Sequence, residues 1–430
     1  MQKFILTGFI SLLLFSCTQK QVVSENEIST YLISSPNKPL KSIETEITFW
    51  SNRFKIVKDD LSAQLKLGSL YNQKFQYSGN IEDILISDSF YLQAHQLQKY
   101  FSSGTYRSLA ANSITHHKFK EAKAFLDTAY SLGDDKYFTL LQQFDVAVEL
   151  GNYSHATSIL KEFRYKNTFE YYIRNAKLQD HLGNAEASIE EMEKGVTEAA
   201  KLKNEQLLRW AKSNMADMYG HQNNIEKSYQ LYKEVLESDP HYYHALKGIA
   251  WIAFSHDKNT SLAKTILAYL KREHTVPDYD YLLAEIAAYE NNPVQQKFYT
   301  NQFLEEVRKP AYGDMYNKYV FSLLSDEPGN YYPALLIAEK EVYNRPTPQS
   351  YDLLAWAYYK NNQKTAALQI AESKLVKINF EPDALYHLGL VYKQNGNDKL
   401  AKYYLKEALE SSFELGPVVT KEIEKQLLNL

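Results

Sequence analysis

Histidine is the residue type here best suited to chemistry near neutral pH, and it occurs in two close pairs. His116 and His117 are adjacent beside a predicted turn, and His241 and His244 open a predicted helix. The second spacing puts two imidazoles on one helix face, where they could hold a divalent metal. No Cys, and no Asp or Glu at an equally suggestive spacing, completes such a site. Both pairs are therefore expected to be solvated surface histidines. The sequence has no Gly-Lys-Ser/Thr phosphate loop, no Gly-x-Ser-x-Gly elbow and no His-Glu-x-x-His helix. It predicts no catalytic residue, no metal and no cofactor, and hence no enzyme.

What remains is the chemistry of binding. Aromatic residues make up 14% of the 430-residue chain, with 35 tyrosines, which suits aromatic layers between helices better than disorder. Trp251, Phe254, Tyr319, Trp356, Tyr359 and Tyr386 fall off the stripe of small residues that runs through their predicted helices. Such side chains offer large contact area at low entropic cost, as binding hot spots do. Lys247 and Lys393 could meet an acidic group. The 48 basic and 52 acidic residues are well mixed, with a net charge of -4, so nothing steers the chain toward nucleic acid.

These residues must be carried by helices. In the segment 383–408, Leu385, Leu388, Gly389 and Tyr392 mark one helix, Ala401, Leu405 and Ala408 a second, and Gly396-Asn397 the break between them. The same grammar stands one period earlier at Leu354, Ala355, Tyr358, Asn362 and Ala367. Another clear unit holds Met215, Ala216, Tyr219, Asn223, Ser228, Tyr232, Val235 and Pro240, the proline stopping its second helix. Pairing small residues with large ones lets two helices lie close, and recurrence at this period is the mark of a solenoid.

The pattern resembles the tetratricopeptide repeat family over most of the chain. The resemblance implies an all-α superhelical solenoid of about nine helical hairpins plus a degenerate N-terminal pair. In that family the first helix of each hairpin lines a concave groove that holds peptides or partner elements. The six aromatics named above would then face the groove. One family variant grips terminal carboxylates with a clamp of basic and amide residues. The comparable positions here hold Ser213, Asp217, Asp352 and Trp356, which do not resemble that clamp.

Residues 1–16 have a basic start at Lys3 and an apolar run too short to span a bilayer, as in a secretory signal peptide. Leu14-Phe15-Ser16-Cys17 resembles the bacterial lipobox, which implies cleavage before Cys17 and its lipidation; Cys17 is the only cysteine. A polar segment, 17–41, reads as a flexible tether, 42–101 as atypical capping helices, 102–415 as the solenoid and 416–430 as a C-terminal cap. Together these features predict a lipid-anchored envelope scaffold, resembling outer-membrane lipoproteins of the Bacteroidota, that binds a protein or peptide. The alternative expectation is a carbohydrate-binding component of a glycan uptake system, because Trp and Tyr faces also stack on sugars.

Overall fold

The same local signals close hairpin after hairpin. The first helix ends on a residue in the left-handed region, such as Asn223 (φ 59°), Asn362 (φ 57°) or Gly396 (φ 76°). Asparagine and glycine tolerate this conformation, which satisfies the last carbonyls of the helix. An N-cap follows: Asn152, Asn259, Asn292 and Asn397 each accept a backbone N–H of the next helix through the side chain. The computed structural model, which describes residues 21–98, 102–163 and 166–430, is built from these units.

A short helix, α1 (Glu25–Ser29), and a longer one, α2 (Lys38–Ile56), precede the first pair, α3 (Leu61–Ser78) with α4 (Glu82–Leu97). The hairpins that follow are α5 (Ser103–Thr115) with α6 (Phe119–Leu132), α7 (Lys136–Glu149) with α8 (Tyr153–Glu162), and α9 (Phe169–His181) with α10 (Ala185–Lys201). Next come α11 (Glu205–His221) with α12 (Ile225–Ser238), α13 (Tyr243–Trp251) with α14 (Thr260–Glu273), and α15 (Asp278–Tyr289) with α16 (Pro293–Val307). The last are α17 (Asn317–Asp326) with α18 (Tyr331–Asn344), α19 (Pro348–Lys360) with α20 (Lys364–Ile370), and α21 (Pro382–Gln394) with α22 (Asp398–Glu410). A final helix, α23 (Ser412–Leu428), closes the chain. Among the described residues the fold is an all-α, tetratricopeptide-like solenoid, with nine hairpins after the N-terminal pair as expected.

Close approach within a hairpin, as at Gly389, and between neighbouring hairpins, as at Gly248, depends on missing side chains. A Cβ on Gly389 would lie 2.6 Å from Leu405 Cγ, and one on Gly248 would lie 2.3 Å from the Tyr232 ring. Two hairpins carry an extra residue, absorbed as π turns at Ile252–His256 and Ala371–Leu375.

The solenoid coils back on itself with a constant offset. The α3–α4 tip meets the α14–α15 connector, where Thr275 N–H donates to the Ser78 carbonyl at 2.9 Å. The α5–α6 tip places the His116 carbonyl against Gly313. At the α7–α8 tip, Gly151 lies on Pro346 and Thr347, and Arg345 pairs with Glu149 at 3.6 Å. The α9–α10 tip sets Gly183 on the Phe380 ring, and near the α11–α12 tip Gly220 lies against Phe413. Hairpin tips of one superhelical turn thus dock on inter-hairpin connectors of the next, forming a continuous seam.

Three sequence expectations are corrected or extended here. Residues 22–35 are not a free tether. Val22 and Val23 donate their backbone N–H groups to Asp257 at 2.9 and 2.8 Å, Val23 and Ile28 are buried, and Glu27 pairs with Lys233 at 2.8 Å. Apolar burial and two charge-assisted bonds hold the segment as a strap across α12 and α14. In place of atypical capping helices, α3 and α4 form a full hairpin, Gly68 lying under the Tyr91 ring. At the other end, α23 breaks at Gly416 (φ 76°, ψ 165°) before Pro417 and returns into the superhelix instead of only covering α22. The signal-like run and Cys17 lie outside the described residues. Among the described residues, no helix is long and apolar enough to cross a membrane.

Candidate functional site: the central channel

The first helices α11, α13, α15, α17, α19 and α21 turn one face inward, and with α23 they surround a cavity of about 1300 Å³. The seam explains why a cavity exists. Once the second turn is locked onto the first, the inner helices face each other across the axis, and their side chains do not fill the gap.

The wall is polar as well as aromatic. Lys247 donates to Asp278 at 3.0 Å, and the Tyr316 hydroxyl donates to the same carboxylate at 2.7 Å. Burial alone would raise Asp278, but Lys247 and Tyr316 hold it below the usual carboxylate range. Asp217 has the same balance: burial opposes ionisation, and His244 at 2.9 Å with the Tyr232 hydroxyl outweighs it. His387 lies 2.9 Å from Asp352, and Lys318 lies 3.3 Å from Asp383. Glu285 and Glu381 depart from this balance. At Glu285 burial, reinforced by the charge of Asp383 and opposed only by Lys318, pushes the carboxyl up to about 8, and burial also raises Glu381.

Of the six predicted groove aromatics, Trp251, Tyr319, Trp356, Tyr359 and Tyr386 line the cavity. Phe254 does not: it is 1% exposed, sits in the π turn and packs edge-on against Tyr289 at 5.7 Å. The extra residue of that turn shifts the helical register, which the regular periodicity could not anticipate. Trp251 is covered by the chain's own C-terminal helix, with Phe413 at 6.4 Å and Gly416 against its ring. Trp356 is 6% exposed and sandwiched, its faces stacked on Tyr359 at 4.6 Å and His387 at 4.1 Å. A sandwiched indole offers no free face to a sugar. Tyr319 is 37% exposed, and Trp251, Tyr359 and Tyr386 are partly exposed.

Sequence reading missed Tyr281, Tyr316, Lys318, Glu285 and Asp383. Lys318 and Tyr319 are neighbours on α17, and Tyr281 lies one turn before Glu285 on α15, so the signal was charge beside aromatic on successive first helices. The return of α23 had no local signal. The two lysines singled out do meet partners, but within the chain: Lys247 takes Asp278, and Lys393 takes the Gln426 side chain of α23 at 2.8 Å.

The histidine pairs differ from expectation. His116 is 2% exposed at the seam, and His117 is half-buried, with a left-handed backbone and its ring against Phe119. His241 turns toward the strap, its Nε2 3.1 Å from the Ser35 carbonyl, whereas His244 turns into the channel toward Asp217. Tertiary contacts between remote segments, invisible in a local window, override the solvated reading at His116, His117 and His241, whereas His244 stays exposed as expected.

Residues 382–414 match the family model of the tetratricopeptide repeat. This stretch contains α21 and α22, the hairpin with the most regular repeat grammar. No curated protein matches the chain in sequence. Among solved structures, the human IFIT1 dimer with PPP-AAAA is similar at 14% identity, covering 89% of this chain and 96% of that one, with a TM-score of 0.44. A chain of the APC/C hetero-tetramer Cut9-Hcn1 is similar at 12% identity, covering 94% and 98%, with a TM-score of 0.33. Yeast Tom70 is similar at 13% identity, covering 85% and 96%, with a TM-score of 0.34.

Proposed function

We propose that this chain is a non-enzymatic scaffold that grips a segment of a partner protein in its central channel. The observation that carries the reading is the channel itself: about 1300 Å³, walled by Tyr319, Tyr359 and Tyr386 beside fixed charges such as Lys318 and Asp383. Amphipathic rings with fixed charges beside them suit a peptide, which presents apolar side chains and polar backbone together. The second part of the proposal is an address. Leu14-Phe15-Ser16-Cys17 supports lipidation at Cys17 and anchorage in a bacterial envelope, where tethering raises the effective concentration of bound partners. Envelope assembly or secretion would use such a scaffold. A glycan ligand is the weaker reading because the indole of Trp356 is already stacked on Tyr359 and His387 and that of Trp251 is partly covered by α23.

Affinity capture from detergent-solubilised envelopes tests the proposal, with wild type compared to a Tyr319→Ala, Tyr386→Ala variant of unchanged helicity. The expected result is a specific protein recovered by wild type and depleted at least tenfold with the variant. Equal recovery with both, or retention of oligosaccharides and no protein, would overturn it.

A further inference from the structure

If the superhelix is to open, its turns must part along the seam, and imidazoles sit at that boundary. At the first contact His274 packs beneath Gly79, so closely that a Cβ on the glycine would fall 2.7 Å from its Nε2. Its Nδ1 lies 2.7 Å from the Tyr279 hydroxyl, and the Tyr243 ring is tilted 4.9 Å away. The charged groups facing it are Asp278 and Lys247, which neutralise each other. At the second contact His116 is buried against the backbone around Ala311, and its Nε2 makes no hydrogen bond. The nearest carboxylate oxygen, on Asp88, is 4.0 Å away, and the other oxygen of Asp88 accepts from Asn112 at 2.8 Å. Lys118 and His117 add positive charge on the same tip. Farther along, His117 faces Arg345, Glu149, Glu341 and Asp314.

We propose that the seam is an acid-sensitive gate: protonation of His116 and His274 lifts the hairpin tips of the first turn off the connectors of the second, while the hairpins themselves stay folded. His116 bonds the Ala311 backbone and His274 the Tyr279 hydroxyl, but a buried imidazolium has two N–H groups to satisfy, and His116 Nε2 has no acceptor; the nearest relief is water entering between tip and connector. That boundary is held by smaller, separate contacts. It rests on the Thr275–Ser78 backbone bond, a Lys120 bond to the Tyr343 carbonyl at 2.7 Å, the Arg345–Glu149 and His221–Glu414 pairs, contacts over glycines and a small apolar cluster of Ile81 and Ile84 against Ala311 and Tyr312. Hairpin interiors, by contrast, bury continuous apolar faces. Burial holds His116 and His274 down to about 4, so the gate is shut at neutral pH. A folded-state pKa below the unfolded value in a base means stability present at neutral pH and lost as pH falls from 6.5 through about 4.

Small-angle scattering and far-UV circular dichroism of the full chain, titrated from neutral to acid pH, read the gate directly. The expected result is a rise in radius of gyration at a pH where helicity is still intact, absent or shifted to lower pH in a His116→Gln, His274→Gln variant. Amide exchange at Thr275 in the wild type, normalised to its intrinsic rate, is expected to rise at the same pH ahead of amides inside α13 and α15. Expansion that coincides with loss of helicity, or Thr275 protection that persists until global unfolding, would overturn the proposal. So would expansion identical in the variant.

Discussion

Glu285 shows at single-residue scale how the channel constrains its wall. Its carboxyl lies among Tyr281, Asp383 and Lys318, and no hydrogen bond offsets its desolvation. Water is a better solvent for the charge than this site, so the folded chain prefers the acid form. For a carboxyl raised in the fold, the stabilising contribution is present below the ordinary value of 4.5 and lost as pH rises through about 8. Thermal unfolding measured between pH 5 and pH 9 should therefore show stability declining toward alkaline pH. Glu285→Gln, which keeps the neutral shape, should flatten that decline; an unchanged slope would refute the assignment. Residue identities of this kind were half legible. Trp356 and Tyr386 follow from helical register, because one face of a first helix must look inward. The stacking of Trp356 on His387 and the covering of Trp251 by Phe413 depend on which remote helix arrives opposite, and no local spacing encodes that.

Among the elements, hairpins were the most readable because every signal that makes them is local. Gly396-Asn397 terminates one helix and caps the next within adjacent residues, and Leu405 fills the space left by Gly389 a few turns away. Elements that depend on distant partners were not readable. The strap carries Val22, Val23 and Ile28 in a polar, weakly periodic context, and its anchor, Asp257, stands at a hairpin tip far along the chain. The carboxylate side chain of Asp257 is itself buried and also bonds His256, so its two oxygens are committed. Replacing Asp257 by Ala should leave two backbone donors unsatisfied, at a cost of about 1–3 kcal/mol. Limited proteolysis checks this: cleavage within residues 22–35 should become faster than in wild type, with the rest of the digestion pattern retained. Identical cleavage would mean that apolar burial of Val23 and Ile28 holds the strap unaided.

For the whole molecule, the repeat class was legible and the closure was not. A period read from Leu354 and Leu388 says that hairpins stack. Superhelical pitch accumulates from small rotations at every interface, including the π turns, and these sum over the whole chain. Gly151 and Gly183 end their helices in the left-handed region (φ 71° and 78°), and with Gly220 they also admit the next superhelical turn, a role that shows only in three dimensions. Closure matters for function because an extended rod would present Tyr319 and Tyr386 on an open face, whereas the coiled form encloses them. The most direct test is amine-reactive cross-linking of the monomer at neutral pH, read by mass spectrometry. The seam predicts links between Lys120 and Lys340, and α23 returning into the channel predicts a link between Lys258 and Lys421, whose charges already oppose each other. Links confined to neighbouring hairpins, with neither of these pairs recovered, would contradict a closed superhelix.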